Sequence, residues 1–196
     1  MATDDRATLL HLLVTLAYDY SPGAYMLASG KQSDEYLDCK TALSHAVALP
    51  ALGRLFLSRI QPHVVAVGGL TMGADPIALS TSQVSAGGRD LQWFSVRKEP
   101  KKYGRRKLIE GDLPSGPVAV VDDVVTTGGS TIDAIRKVRV EGLALAQVLV
   151  LVDREEERGL ERIGAEAGPD IPVAAIFKKS EIRAEWERQR SQTRTR

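Results

Sequence analysis

The sequence predicts an α/β fold built on a mostly parallel sheet with helices on both faces. Three observations predict it. Continuous Val-rich runs recur at 64–67, 118–121 and 146–152, the pattern of strands buried on both faces. Segments of helical period lie between them, and Gly or Pro punctuates most of the joints. With 196 residues, 43% of them hydrophobic, the chain suits one domain that buries roughly 70% of its unfolded surface.

In chain order, the N-terminus reads as a helix that Thr3 caps. Asp4 and Asp5 suit the positive end of its dipole, and Leu9, Leu12, Leu13 and Leu16 form its apolar face. Ser21-Pro22-Gly23 reads as a break, 29–33 as a polar turn, and 35–39 as a short strand ending at Cys39. A helix spans 46–60 and stops near Pro62. Strand 64–67 runs into Gly68-Gly69, followed by a helix over about 74–85 and a strand at 92–96. Strand 117–121 leads to a helix over 130–140 that Gly142 closes. Strands at 146–152 and 173–177 follow, and the tail begins as a helix capped by Ser180 and frays past Gln189.

Composition excludes several classes of protein. A lone Cys39 rules out an internal disulfide, fits a reducing cytoplasm and reads as a packed, inert thiol. The three histidines are too scattered for a metal cluster. The acidic start Thr3-Asp4-Asp5 is no secretory leader, and the apolar runs fall far short of the ~18 residues that span a bilayer. The formal charge of +1 is an uneven average. Residues 97–107 carry seven basic side chains against one acidic, so the remainder is net negative. That balance argues against a general nucleic-acid binder, and Tyr103 is the only aromatic in the basic segment on which a base could stack.

The strongest chemical signal is the stretch from Val118 to Ser130, in which four apolar residues precede Asp122-Asp123-Val124-Val125-Thr126-Thr127-Gly128-Gly129-Ser130. Ligands of open α/β sheets bind beyond the carboxyl ends of strands, where this segment falls. Gly128 and Gly129 admit close backbone approach, and the amides and hydroxyls of 127–130 suit an anion. Asp122 and Asp123 suit a ribose diol or the shell of Mg²⁺. A plain strand, turn and helix capped by Ser130, its acids merely solvated, is the bland alternative. Walker A and G-x-G-x-x-G loops are both excluded by the residues present.

This stretch resembles the fingerprint of the type I phosphoribosyltransferases. The resemblance implies that residues 124–130 belong to the phosphoribosyl pyrophosphate site, Thr127 to Ser130 gripping its 5-phosphate, while Asp122 and Asp123 hold the ribose hydroxyls. It also implies their fold over 1–196 as a single domain, with a small N-terminal hood from about 1–45 and part of the C-terminal segment. The basic segment, Arg97-Lys98-Glu99-Pro100-Lys101-Lys102-Tyr103-Gly104 before Leu108-Ile109-Glu110-Gly111, is similar to the catalytic loop of the orotate phosphoribosyltransferases. A mobile cationic loop of this kind suits a pyrophosphate leaving group. Ser29-Gly30-Lys31 with Ser33, Tyr36 and Asp38 resembles the family's hood, 68–76 its pyrophosphate-side loop, and 151–155 the segment whose Arg contacts orotate.

By that resemblance the chain converts orotate and phosphoribosyl pyrophosphate into orotidine 5-monophosphate and pyrophosphate, with Mg²⁺ brought by the substrate. Lys101, Arg97 and Lys98 are then catalytic, Tyr103 joins them on the pyrophosphate, and Thr126, Arg154 and Tyr36 take the base. A cytoplasmic homodimer is implied, with Lys98 acting across the interface. Tyr103 stands where the family usually has His, Met72 where Lys is common, Ala28 where some members have Lys, and Leu37 where an aromatic sometimes stands. Glu35 replaces the usual aromatic or aliphatic residue. A phosphoribosyltransferase for uracil or a purine, and a non-catalytic sensor of phosphoribosyl pyrophosphate that binds nucleic acid, are the alternatives.

Overall fold

The computed structural model describes residues 4–26, 32–99 and 107–194. Helix α1 (Asp5–Leu12) opens it and runs into a π-helical turn at Leu13–Ala17. Asp4 caps this helix, its carboxylate accepting from the amides of Arg6 and Ala7; Thr3 lies outside the described residues. Leu9, Leu12 and Leu13 are buried as expected, whereas Leu16 is exposed.

An antiparallel pair follows, β1 (Tyr18–Met26) with β2 (Gln32–Leu37). The expected break at Ser21-Pro22-Gly23 is an irregularity inside β1, between the paired residues Tyr20 and Tyr25. Pro22 has no amide to donate, and Gly23 turns at a φ of 66°. Strand β2 stops at Leu37, short of the expected Cys39, because the Asp38 carboxylate accepts from the Lys40 amide and starts α2 (Cys39–Leu43). Helix α3 (Ala48–Leu57) is shorter at both ends than the sequence suggested.

The main sheet has β5 (Ile109–Glu110) at one edge, then β4 (Gln92–Val96), β3 (Ala66–Leu70), β6 (Val118–Val125), β7 (Leu145–Asp153) and β8 (Val173–Lys178). All pairings are parallel except β5 with β4. Gly68 and Gly69, expected just beyond β3, lie within it: a Cβ on Gly68 would fall 2.1 Å from the Phe94 carbonyl oxygen of β4. Side chains alternate between two cores. Val67, Ala119, Val121, Leu149 and Leu151 pack with α1, α3 and α4 (Asp75–Ser85). Ala66, Val118, Val120, Val148 and Val150 pack with α5 (Gly129–Val140) and α6 (Gly159–Ala167).

Helix α6 and strand β5 were not anticipated. The tail helix α7 (Lys179–Arg194) starts one residue before Ser180 and continues past Gln189. It seats Ile182 in the first core and packs Trp186 against Tyr18 and Tyr20, tying the hairpin to the C-terminus. Cys39 is fully buried, and burial pushes its thiol pKa well up, as an inert packed thiol requires. Among the described residues no helix is long and apolar enough to cross a membrane.

Candidate active site

Strand β6 does not end at its carboxylates; it continues through them to Val125, with Asp122 opposite Val150 and Val125 opposite Asp153. Strand alternation therefore sends the two acids to opposite faces. Asp122 accepts from the Thr131 hydroxyl of α5 at 2.7 Å and from the Asp123 amide at 3.0 Å. Asp123 accepts from the Val124 amide and, at 2.9 Å, from the Lys40 ammonium of α2. Both acids are buried. Burial raises the Asp122 pKa, and the like charge of Asp123 adds to the rise, outweighing the Thr131 hydrogen bond. Burial works against the Lys40 ammonium, yet its hydrogen bond to Asp123 and the attraction between the two charges raise its pKa.

The loop from β3 to α4 closes over this pair. A Cβ on Gly73 would lie 2.4 Å from Asp123 Oδ1 and 3.2 Å from Asp122 Oδ1, so only glycine fits. Asp75 anchors the loop, accepting from Thr71 at 2.6 Å and from Ser95 of β4 at 2.8 Å, while Met72 stands exposed.

Past Val125 the chain turns through Thr126, Thr127 and Gly128 into α5. Gly128, left-handed at a φ of 78°, precedes the helix, so Ser130 lies inside the first turn and caps nothing. Thr127, Gly129 and Ser130 are exposed at that N-terminus, where the Gly129 amide donates to Thr127 Oγ1 at 3.3 Å and the helix dipole favours an anion. Helix α6 wedges the turn from behind. A Cβ on Gly128 would sit 2.9 Å from the Gly159 carbonyl oxygen, and one on Gly159 would sit 2.4 Å from that of Thr126.

Arg154 lies directly beside this loop, its amide donating to the Val125 carbonyl at 2.9 Å. Its side chain is buried, and its Nε has no hydrogen-bond partner among the described residues. One terminal nitrogen reaches Glu156 at 3.3 Å. The segment that follows holds Glu155, Glu157 and Arg158 at positive φ, a strained run that costs on the order of 1 kcal/mol or more per residue. Tyr36 of β2 is half exposed and stacks on Tyr25, with centroids 5.3 Å apart.

Arg97 and Lys98 follow β4, on the far side of β3 from β6. Arg97 pairs with Glu110 at 3.2 Å, and the Lys137 ammonium of α5 donates to the carbonyls of Arg97 and Lys98. The start of the cationic segment is thus pinned to the helix that follows the turn at 126–128. Lys101 and Tyr103 lie outside the described residues, as do Ala28, Ser29, Gly30 and Lys31, and with them the expected loop mobility and most of the expected hood turn.

Among the described residues no three His, Cys, Asp or Glu side chains converge as metal ligands. Each carboxylate oxygen of Asp122 and Asp123 already accepts one hydrogen bond and keeps a further lone pair. That donor set fits a hydrated Mg²⁺ arriving with a diphosphate rather than a resident ion in a protein cage. A cleft of about 770 Å³ lies elsewhere, at the amino ends of β3, β4 and β6; its Arg89 is spent on the carbonyls of Ile60, Gln61 and Val64.

Sequence reasoning missed Lys40, Gly73 and Gly159. Lys40 carried no local signal, because its partner Asp123 becomes a neighbour only through the fold. Gly73 sat inside the marked stretch 68–76 and Gly159 in none, and the contact that makes each necessary comes from residues on or just after β6.

No family model matches the chain. It is 39% identical over 184 residues to the orotate phosphoribosyltransferase of Thermosynechococcus vestitus, covering 92% of this chain and 94% of that one. A crystal structure of Mycobacterium tuberculosis orotate phosphoribosyltransferase with Fe(III) dicitrate superposes with a TM-score of 0.75 at 35% identity, over 91% of this chain and 98% of that one. The same enzyme's complex with 5-phospho-α-D-ribosyl 1-diphosphate gives a TM-score of 0.68 at 31% identity, over 93% of each chain.

Proposed function

The chain belongs to the orotate phosphoribosyltransferase family, and from that premise we propose how its own residues carry the reaction. The activity is transfer of the phosphoribosyl group from phosphoribosyl pyrophosphate to orotate in pyrimidine biosynthesis. One observation carries the assignment to residues: the start of α5, two buried carboxylates and a buried arginine whose Nε has no partner among the described residues lie together at the carboxyl ends of β6 and β7.

In this reading the amides and hydroxyls of 126–130 hold the 5-phosphate at the positive end of α5. Asp122 and Asp123 accept the ribose hydroxyls, and Lys40 sits where it balances their charge against the incoming anion. Arg154 offers Nε to the carboxylate or a carbonyl of orotate, Thr126 lies beside it, and Tyr36 packs on the ring. The transition state has oxocarbenium character, so the protein's work is to position the ribose between base and leaving group and to steady the negative charge that builds on pyrophosphate. Arg97, Lys98, Lys101 and Tyr103 serve that charge, with Lys101 the chief catalytic residue. Mg²⁺, bound with the pyrophosphate, supplies charge neutralisation there.

The enzyme works in the cytoplasm as a homodimer whose sites share the cationic loop. The dimer is what membership of this family implies, and a lone buried Cys39 supports a reducing compartment. The test is purified protein with Mg²⁺, phosphoribosyl pyrophosphate and orotate, uracil or adenine in turn. Loss of orotate absorbance with pyrophosphate release is the expected result. Turnover of uracil or adenine in preference to orotate, or no turnover at all, refutes the reading.

A further inference from the structure

Arg154 is the end of a row of alternating charges. Its guanidinium reaches Glu156 Oε1 at 3.3 Å, and the same oxygen accepts from the Lys179 ammonium at 2.9 Å. Lys179 also meets Glu35 Oε2 of β2 at 2.6 Å. Glu35 Oε1 accepts from the Tyr18 hydroxyl at 2.6 Å and lies 3.5 Å from Arg183 of α7. Arg154, Glu156, Lys179, Glu35 and Arg183 together carry one net positive charge. All but Arg183 have side chains no more than one-quarter exposed.

A buried guanidinium demands a counter-charge. Glu156, two residues away, is the obvious source, and a carboxylate free to swing takes an arginine in a two-pronged grip. Here it does not. Glu156 makes a single long contact, and Nε stays unbonded, because the shorter bond from Lys179 holds the shared oxygen. Lys179 is itself fixed between two acids, and Glu35 is locked by Tyr18. Burial opposes both charges, but their mutual hydrogen bonds prevail, lowering the Glu35 pKa and raising that of Lys179, so both stay ionised near neutrality.

We propose that Lys179, anchored on the hood by Glu35, is a positioning residue that holds Glu156 off Arg154 and so keeps the guanidinium open for the base's carboxylate. This rests on Arg154 being the base reader. It gives Glu35 a role that the aromatic or aliphatic residue usual at that position cannot perform. Because Tyr36 adjoins Glu35 on β2, the same contact ties the strand that packs on the base to the arginine that reads it.

Steady-state kinetics on three variants of the full chain test it. In Lys179→Met, Glu156 closes on Arg154, and the orotate KM rises at least roughly fivefold while kcat and the KM for phosphoribosyl pyrophosphate stay within about twofold. Lys179→Met with Glu156→Gln removes the competing carboxylate and recovers most of the loss, whereas damage to the fold alone would deepen it. Should Lys179→Met not fold, Lys179→Gln is measured in its place, alone and with Glu156→Gln. An unchanged orotate KM, equal losses for both substrates, or no recovery in the double variant overturns the proposal. Arg154→Ala separates the two failures. If it weakens orotate selectively and Lys179→Met does not, the positioning role alone falls; if it weakens both substrates alike, the base-reading role falls too.

Discussion

Asp122 carries the least comfortable charge in the site. Its carboxyl is buried beside a second carboxylate, which raises its pKa from 3.8 to about 7. The folded chain therefore holds this proton more tightly than the unfolded chain does. Below about pH 4 both states are protonated and no cost arises. From there to about pH 7 the unfolded chain ionises first and stability falls, and above that the full cost of the buried charge is present. Asp122→Asn removes the titration, and Thr131 can turn its hydroxyl to accept from the new amide. The variant should be more stable than the parent at pH 8, with the gap closing towards pH 4.5 in thermal melts without ligand. Its turnover should drop roughly tenfold, since a charge-assisted acceptor for the ribose becomes a neutral one. A variant less stable than the parent at pH 8 would show that burial does not dominate this carboxyl.

The turn before α5 shows how an element is held for function by another that touches no substrate. Gly128 needs glycine twice, for its φ of 78° and for the 2.9 Å a Cβ would leave to the Gly159 carbonyl oxygen. Gly129 is freer, since a Cβ there would meet only Thr127 Oγ1 at 3.5 Å. Gly128→Ala should cost about 2 kcal/mol and lower the melting temperature by roughly 5 °C. The KM for phosphoribosyl pyrophosphate should rise as the loop shifts off α6. Gly129→Ala should leave the melting temperature within about a degree of the parent; equal melting losses in the two variants would refute the wedge. The Val-rich strands and the turn from β6 into α5 were legible in the sequence because each is a local pattern of period or residue type, as was the charge of the cationic segment. Helix α6 was not, for its apolar residues Leu160, Ile163 and Ala167 are few among charged ones and its start follows three residues at positive φ. Glu35 shows the same limit at a single position. It read as a mere departure until the fold brought Lys179 and Tyr18 to it.

At the scale of the whole molecule the proposed homodimer raises the question of which chain supplies the cations to which site. The near-neutral sum of +1 conceals a strongly basic stretch over 97–107 on a net acidic remainder. That stretch leaves β4, covered on its outer side among the described residues by the two-residue β5, whereas the acid pair lies in β6 and Arg154 follows β7. Lys137 of α5 and Glu141 just after it tie both described ends of the segment to its own chain, through the carbonyls of Arg97 and Lys98 and the amide of Leu108. Contacts through its main chain fix where the segment begins and ends, so two readings are to be separated: its cations serve the site of their own chain or a neighbour's. Two inactive variants decide the matter. In the proposed mechanism Lys101→Ala removes the chief catalytic cation and Asp123→Asn an acceptor for the ribose; each alone should lower kcat by roughly a hundredfold. Mixed as equal amounts and allowed to exchange subunits, they should form hybrids in half of all dimers. If the loop acts on the partner, each hybrid joins both lesions in one site and leaves the other intact, so about a quarter of parent activity returns. If the loop serves its own chain, every site keeps one lesion and the mixture stays as inactive as its parts, which would refute the shared site.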